Sequence, residues 1–333
     1  MKKAFIFATM AIFAIFTACG DDSSSGPEEI ESSSSEEKFS SSEEELSSSE
    51  EEEVSSSSDD IASSSGIVQS SSSEVPSSSS AAILSAEVKA SGYYEENCPA
   101  GHTCIYAAPT TDLNSGITYG EILDEHDYQV YKVVTIGTGD NAQIWMAQNL
   151  NYDPGDVSDM GSYAWSGCYG DESSNCSKYG RLYTWEVAMN DADCAYEKTC
   201  NPSGTVQGIC PDGWHLPSYG ELETLINYID PTFGYGHTGE VNSSTAGEYL
   251  KSKSGWNGSV NGNDNYGFSA LPAGYLDNYD EFDEEGYYAD FWSSSEDDSY
   301  NAYYLSLNYY DKNASLYWES KHSARSVRCF KNN

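Results

Sequence analysis

The chain has 333 residues, with 54 Asp and Glu against 15 Lys and Arg, and a net charge of −39. So acidic a surface repels phosphate backbones, which excludes nucleic acid as a partner. It also carries 27 tyrosines, far more than one hydrophobic core of this size would use.

Lys2 and Lys3 precede an apolar run from Ala4 to Phe16 that is too short to span a bilayer as a mature helix. This reads as a signal peptide over residues 1–18, hence as export. Phe16-Thr17-Ala18-Cys19 resembles the bacterial lipobox, in which a small residue precedes the cysteine that receives the lipid. Cys19 is the expected lipidation site, and the expected location is the outer membrane, at the cell surface. Ordinary secretion with Cys19 as a free thiol is the alternative. Residues 19–85 alternate serine and glutamate blocks, as in "SSSSEEKFSSSEEELSSSEEEE". Such a segment cannot bury enough surface to offset an ordering cost of about 1–2 kcal/mol per residue. Like charges extend it further, so a disordered tether is expected. No other long apolar run follows, so the membrane is met through the lipid anchor only.

Beyond the tether, residues 86–117 read as a lead-in segment with a local disulfide, ahead of a domain over 118–331. Eight of the nine cysteines follow Cys19, and an even number in an exported chain reads as disulfides. Six lie in close pairs: Cys98 with Cys104, Cys168 with Cys176, and Cys194 with Cys200. Proximity leaves Cys210 to meet Cys329, although sequence alone keeps other connectivities open. No CxxC pair occurs, and the five histidines (His102, His126, His215, His237, His322) are scattered. No zinc site and no cofactor are expected.

In chain order, "YQVYKVVTIG" (128–137) alternates as a strand, "GTGDN" as a hairpin turn, and "AQIWMAQNLNY" (142–152) as a second strand. "GRLYTWEVAMN" (180–190) is helical in its second half. In "CPDGWHLPSYGELETL" (210–225), Ser218 and Glu221 form a capping box. Leu222, Leu225, Ile226 and Ile229 then share one helix face, bracketed by Pro217 and Pro231. "AGEYLKSKSGW" (246–256) predicts a short helix ending at Gly255. Strands are expected over 266–276, 290–296, 302–310, 314–320 and 323–330. Two helices ahead of a compact antiparallel sheet make the fold class α+β.

"YGEILDEHDYQVYKVVTIG", "QIWMAQNLNY", "KYGRLYTWEVAM", "GICPDGWHLPSYGELETL", "YGFSALPAGYL", "FWSSSE", "AYYLSL" and "SVRCF" resemble, in that order, motifs of the Fibrobacter succinogenes major paralogous domain. That is a family of exported bacterial modules of unknown function, and the likeness covers about residues 118–331. The domain in turn resembles the C-type-lectin-like fold. The resemblance implies two helices, a twisted antiparallel sheet, and a long loop region that carries the binding surface. "KHSARSVRC" departs from the family pattern, since Arg325 stands where an aromatic residue usually precedes Ser-Val-Arg. Position 215 is often another polar residue in related families, which makes His215 scaffold rather than a catalytic base. Trp214 and Leu216 are expected in the core.

Tyr, Ser, Gly and Asn together suit a recognition surface, because tyrosine offers rigid amphipathic contact area. The candidate ligand-binding residues are Tyr275, Tyr279, Phe282, Tyr287 and Tyr288, with Trp256 and Trp292 assigned to the core. The expected partner is a polysaccharide or a protein outside the cell, bound in adhesion. An oxidase related to formylglycine-generating proteins is the alternative, but it needs neighbouring reactive cysteines, and only Cys329 lies near the C-terminus. No GxSxG stretch, Ser-His-Asp order or paired-carboxylate context stands out, so no catalytic residue is named. The acidic loop "DNYDEFDEEG" (277–286) lacks EF-hand spacing and reads as solvated rather than as a metal site.

Overall fold

The computed structural model describes residues 87–332; the expected signal peptide, the expected lipidation site Cys19 and the expected Ser/Glu tether lie outside the described residues. The first part holds β1 (Lys89–Ala90), α1 (Tyr93–Glu96), β2 (Ile105–Tyr106), β3 (Gly120–Asp124), β4 (Gln129–Ile136) and β5 (Gln143–Met146). A loop-rich middle contains β6 (Ser166–Gly167), α2 (Ser173–Tyr179), β7 (Leu182–Tyr183), α3 (Trp185–Met189) and β8 (Trp214–His215). Then come α4 (Tyr219–Ile229), β9 (Val241–Ser243), α5 (Ala246–Leu250), β10 (Tyr275–Leu276) and β11 (Phe282–Asp283). A meander of β12 (Tyr288–Glu296), β13 (Asn301–Asn308) and β14 (Ala314–Ser320) precedes the short last strand β15 (Phe330–Lys331). The class is α+β, with more sheet than helix.

Two main sheets result. The first runs β1-β3-β4-β5-β15-β8, with β2 added parallel to β4; the second runs β12-β13-β14-β9, antiparallel throughout. The lead-in is part of the first sheet, because β1 pairs with β3 and β2 with β4. A buried ion pair between Lys132 and Glu121, with Tyr106 donating to the same carboxylate, ties it down further. Nearly every residue of β4 is buried, since both of its faces are covered.

Helix α4 starts where its local chemistry dictates. The Ser218 hydroxyl accepts from the Glu221 amide, and the Glu221 carboxylate accepts from the Ser218 amide at 2.8 Å. These two bonds satisfy donors that a helix start leaves orphaned. Leu222, Leu225, Ile226 and Ile229 are buried on the face that meets β12, β13, β14 and α5. Each such side chain contributes roughly 1.5–3 kcal/mol on burial. Trp214 and Leu216, just ahead of the cap, are fully buried.

Four disulfides close the fold: Cys98–Cys104, Cys168–Cys176, Cys194–Cys200 and Cys210–Cys329. They are the pairs that proximity favours. The last spans 119 residues and fastens the approach to β8 onto the approach to β15. His215 is buried, with Nε2 2.9 Å from Glu221 and Nδ1 2.6 Å from Asn332. Its ring links the helix cap to the C-terminus, as scaffold does.

Several expected boundaries shift, each because a polar side chain takes a partner that the periodicity does not show. The second strand ends at Met146 rather than Tyr152, because Gln148 and Asn149 leave the ladder to bond the Lys132 amide and the Tyr179 carbonyl. The helix expected over 246–256 stops at Leu250. Lys251 turns extended there, and its buried ammonium donates to the carbonyls of Asn308 and Asp311. Of 266–276 only Tyr275–Leu276 is strand; the Asp264 carboxylate takes both the amide and the hydroxyl of Ser269 and turns the chain. Residues 323–329 thread between elements and bridge Leu276, Tyr183 and Phe291 one residue at a time. Among the described residues five α-helical segments occur rather than two, and only α4 exceeds two turns.

Arg325, where the resemblance implied an aromatic residue, is buried with its guanidinium 4.2 Å from the Tyr304 ring centre and 4.9 Å from that of Trp292. Its Nε lies 3.5 Å from Asp290. A flat, weakly hydrated cation thus stacks among aromatic rings.

Candidate functional site

The five expected ligand residues do not form one patch. Tyr279 is 79% exposed at the tip of the β10–β11 hairpin. Phe282 turns inward and packs 5.2 Å from Tyr169 and 5.9 Å from Trp165. Tyr275 lies half-buried against the Arg325 guanidinium, and burial pushes its phenol up to about 12. Only Tyr287 and Tyr288 stay together on the surface. Trp256 and Trp292 are both buried, as assigned.

Around Tyr287 and Tyr288 opens a cleft of about 680 Å³, whose other walls are Tyr169, Tyr309, Tyr310 and the acids Asp283, Glu284 and Glu285. Register brings the two tyrosine pairs together. Tyr288 opens β12 opposite Asn308 at the end of β13, so the residues just beyond each strand end are neighbours. Tyr287 meets Tyr309 edge-to-face at 4.8 Å, and Tyr309 meets Tyr310 at 5.4 Å. The Tyr288 hydroxyl donates to that of Tyr310 at 3.4 Å. Burial raises the Tyr288 phenol, and the bond to Tyr310 raises it further, so Tyr288 presents a neutral hydroxyl. Tyr310 is 60% exposed and Tyr287 38%, so part of each side chain is open to solvent.

The acidic wall is held by backbone. Glu284 sits at φ 64, in the left-handed region that non-glycine residues rarely adopt. Its carbonyl accepts from the amides of Tyr287 and Tyr288 at 2.9 and 3.1 Å. Gly286, at φ 84, donates to the Pro272 carbonyl, and a β-carbon there would collide with Asn257. Burial, then the adjacent Asp283, raises the Glu284 carboxyl above its ordinary value.

A second, partly exposed aromatic group joins Tyr163, Tyr196, Tyr300 and His322, with the His322 ring tilted 4.0 Å from that of Tyr163. Its imidazole is already engaged, 3.2 Å from Asp280. Another cleft carries Tyr228, Tyr235 and Phe330 beside Glu221, but Glu221 is committed to the helix cap. Among the described residues, no group of three or more His, Cys, Asp or Glu side chains is arranged to hold a metal ion. All eight cysteines among the described residues are bonded.

Tyr169, Tyr309 and Tyr310 are the residues that sequence reasoning missed. The pair "YY" at 309–310 did carry a signal: two aromatics directly after a strand end, where the chain turns into "DKN". Tyr169 had none, since it comes from a loop far away in the chain.

Residues 134–331 match the family described as the Fibrobacter succinogenes major domain, and the chain belongs to that family. No curated protein and no solved structure matches it.

Proposed function

Taking membership of the Fibrobacter succinogenes major domain family as the premise, we propose an exported, lipid-anchored surface protein. Its lectin-like domain binds an extracellular polysaccharide in adhesion, through the tyrosine cleft. The observation that carries this reading is the exposure of Tyr287 and Tyr310 in a cleft walled by three further tyrosines. Flat aromatic faces stack on the C–H faces of sugar rings, and the phenol hydroxyls bond their hydroxyl groups. Tyr169 follows Cys168, which is bonded to Cys176, and Tyr287 and Tyr310 are joined through the β12–β13 ladder, so little is lost to ordering when a ligand binds.

The C-type-lectin-like reading is supported by the return of β15 beside β5, by the capped helix α4, and by the long stretch from 251 to 287 that holds two short strands. Four disulfides fit an oxidising, exported setting. Export itself is inferred from residues 1–18 and lipidation from Cys19, with 19–85 as the tether. The oxidase alternative requires neighbouring free thiols, and the described cysteines are all in bonds.

A glycan array probed with the full chain tests the binding reading. The expected result is capture of a defined set of plant or bacterial polysaccharides, lost in the Tyr287→Ala/Tyr310→Ala variant. Capture that survives this variant, or retention by a surface protein alone, overturns it.

A further inference from the structure

We propose that the cleft selects an amine-bearing saccharide, with sugar rings stacked on Tyr287 and Tyr310 and an ammonium group held by Asp283 and Glu284. The inference rests on the ligand-binding reading above and names the ligand's chemistry.

Three observations on the same wall converge. First, no Lys, Arg or His lines the cleft, while Asp283, Glu284 and Glu285 do. An anionic glycan such as a uronic acid polymer would meet uncompensated repulsion there, and a neutral one would leave the carboxylates unmatched. Second, these acids are uncompensated, whereas several carboxylates elsewhere hold a lysine: Glu121 has Lys132, Glu296 has Lys321 and Glu248 has Lys312. Among the described residues, none of Asp283, Glu284 and Glu285 forms an ion pair. Lys178, from the neighbouring helix α2, lies 4.2 Å over the Tyr179 ring and donates to the Tyr179 hydroxyl. Third, the rings facing the acids are tyrosines, whose π faces attract ammonium groups as well as sugar C–H faces. An aminated pyranose answers both halves of the wall at once: its apolar face meets the rings and its ammonium the carboxylates. A bare lysine chain answers only one.

Titration calorimetry on the full chain at physiological salt tests this with three probes: a hexamer of glucosamine, the same hexamer fully N-acetylated, and hexalysine. The glucosamine hexamer should bind. Tyr310→Ala and the pair Asp283→Asn/Glu284→Gln should each weaken it about tenfold, the scale of one lost cation–π or charge contact. The control pair Asp159→Asn/Asp193→Asn, which lines a different cleft or its exposed rim, should leave affinity within about twofold. Equal binding of the acetylated hexamer, still lost with Tyr310→Ala, overturns the amine preference while the polysaccharide reading stands. Equal binding of hexalysine, indifferent to Tyr310→Ala, reduces the effect to net charge and overturns the inference. Binding of none of the three probes overturns it too, and a positive glycan array would then leave the broader reading intact.

Discussion

The second sheet and the middle segment (147–214) are neighbours held together by opposite means. In the sheet, β12, β13 and β14 run in a continuous antiparallel ladder from Tyr288 to Ser320, interrupted by one register shift after Trp292. The middle segment has only short elements, so single contacts stand in for a ladder. The Glu296 carboxylate accepts from the amides of Cys200 and Asn201 and from the Lys321 ammonium. The Trp185 indole donates to the Ser293 carbonyl at 2.8 Å, and the Trp292 indole to the Tyr183 carbonyl at 2.8 Å. A ladder spreads stability over many equivalent bonds, whereas a scaffold of single contacts concentrates it. Surface changes on the sheet should therefore cost little, and single changes where the middle segment is anchored should cost much.

The largest expected effect comes from the covalent anchor. Cys210→Ala/Cys329→Ala should lower unfolding free energy by about 5 kcal/mol in the chain-entropy account, against about 2 for the pair Cys168→Ala/Cys176→Ala. Denaturant midpoints compare them, and equal losses would mean that loop length is not what matters. Next is Glu296→Ala, which strands the fully buried Lys321 ammonium and two backbone amides. The expected loss is about 3–5 kcal/mol. Hydrogen exchange should speed up over 194–201 well before β12–β14, and a uniform change across both regions would erase the contrast.

The third prediction concerns pH. Glu186 lies fully buried on α3, and neither of its carboxylate oxygens has a well-formed hydrogen bond. Burial pushes its carboxyl from the ordinary 4.5 up to about 7, against opposing pulls from its own amide, Thr184 and Lys321. A carboxyl raised in the folded state stabilises fully below its unfolded pKa and loses that contribution as pH rises through the folded one. Stability should thus fall between about pH 4.5 and 7, by up to about 3 kcal/mol. His215, raised by its bonds to Glu221 and Asn332 in spite of burial, also loses stabilisation as pH rises. Glu186→Gln should flatten the carboxyl's share of that slope. An unchanged melting profile from pH 5 to 8 in this variant would mean that the carboxyl is solvated or paired in solution. The smallest effect is expected on the sheet side, where Tyr310→Ala should change stability by less than about 0.5 kcal/mol, because the ring is mostly in solvent. A loss above 1 kcal/mol, on the order of a buried side chain's contribution, would make Tyr310 part of the scaffold rather than a free binding face.

What the sequence determined by itself was whatever its short-range chemistry decides. The capping box at Ser218 and Glu221, the apolar face of α4 and the meander strands follow from local periodicity, and the three short disulfides from proximity. Arg325 shows where that reasoning stops. Its burial depends on Tyr304, Trp292 and Tyr275, residues of β13, β12 and β10. The boundary shifts at Met146 and Leu250 have the same origin, since in each case a polar group found a partner from a distant segment; at Ser269 the partner is Asp264, five residues back. The cleft lay furthest from view. Tyr287 and Tyr288 were legible as tyrosines beside a strand, but Tyr309 and Tyr310 reach them through the β12–β13 register, and Tyr169 arrives from the middle segment. Phe282, from the same acidic loop, packed inward because Trp165 and Tyr169 offered it a wall. Side-chain periodicity tells which face of a strand is buried. Only strand register and loop closure decide which distant side chains share the water-facing edge, and those are set by the whole fold.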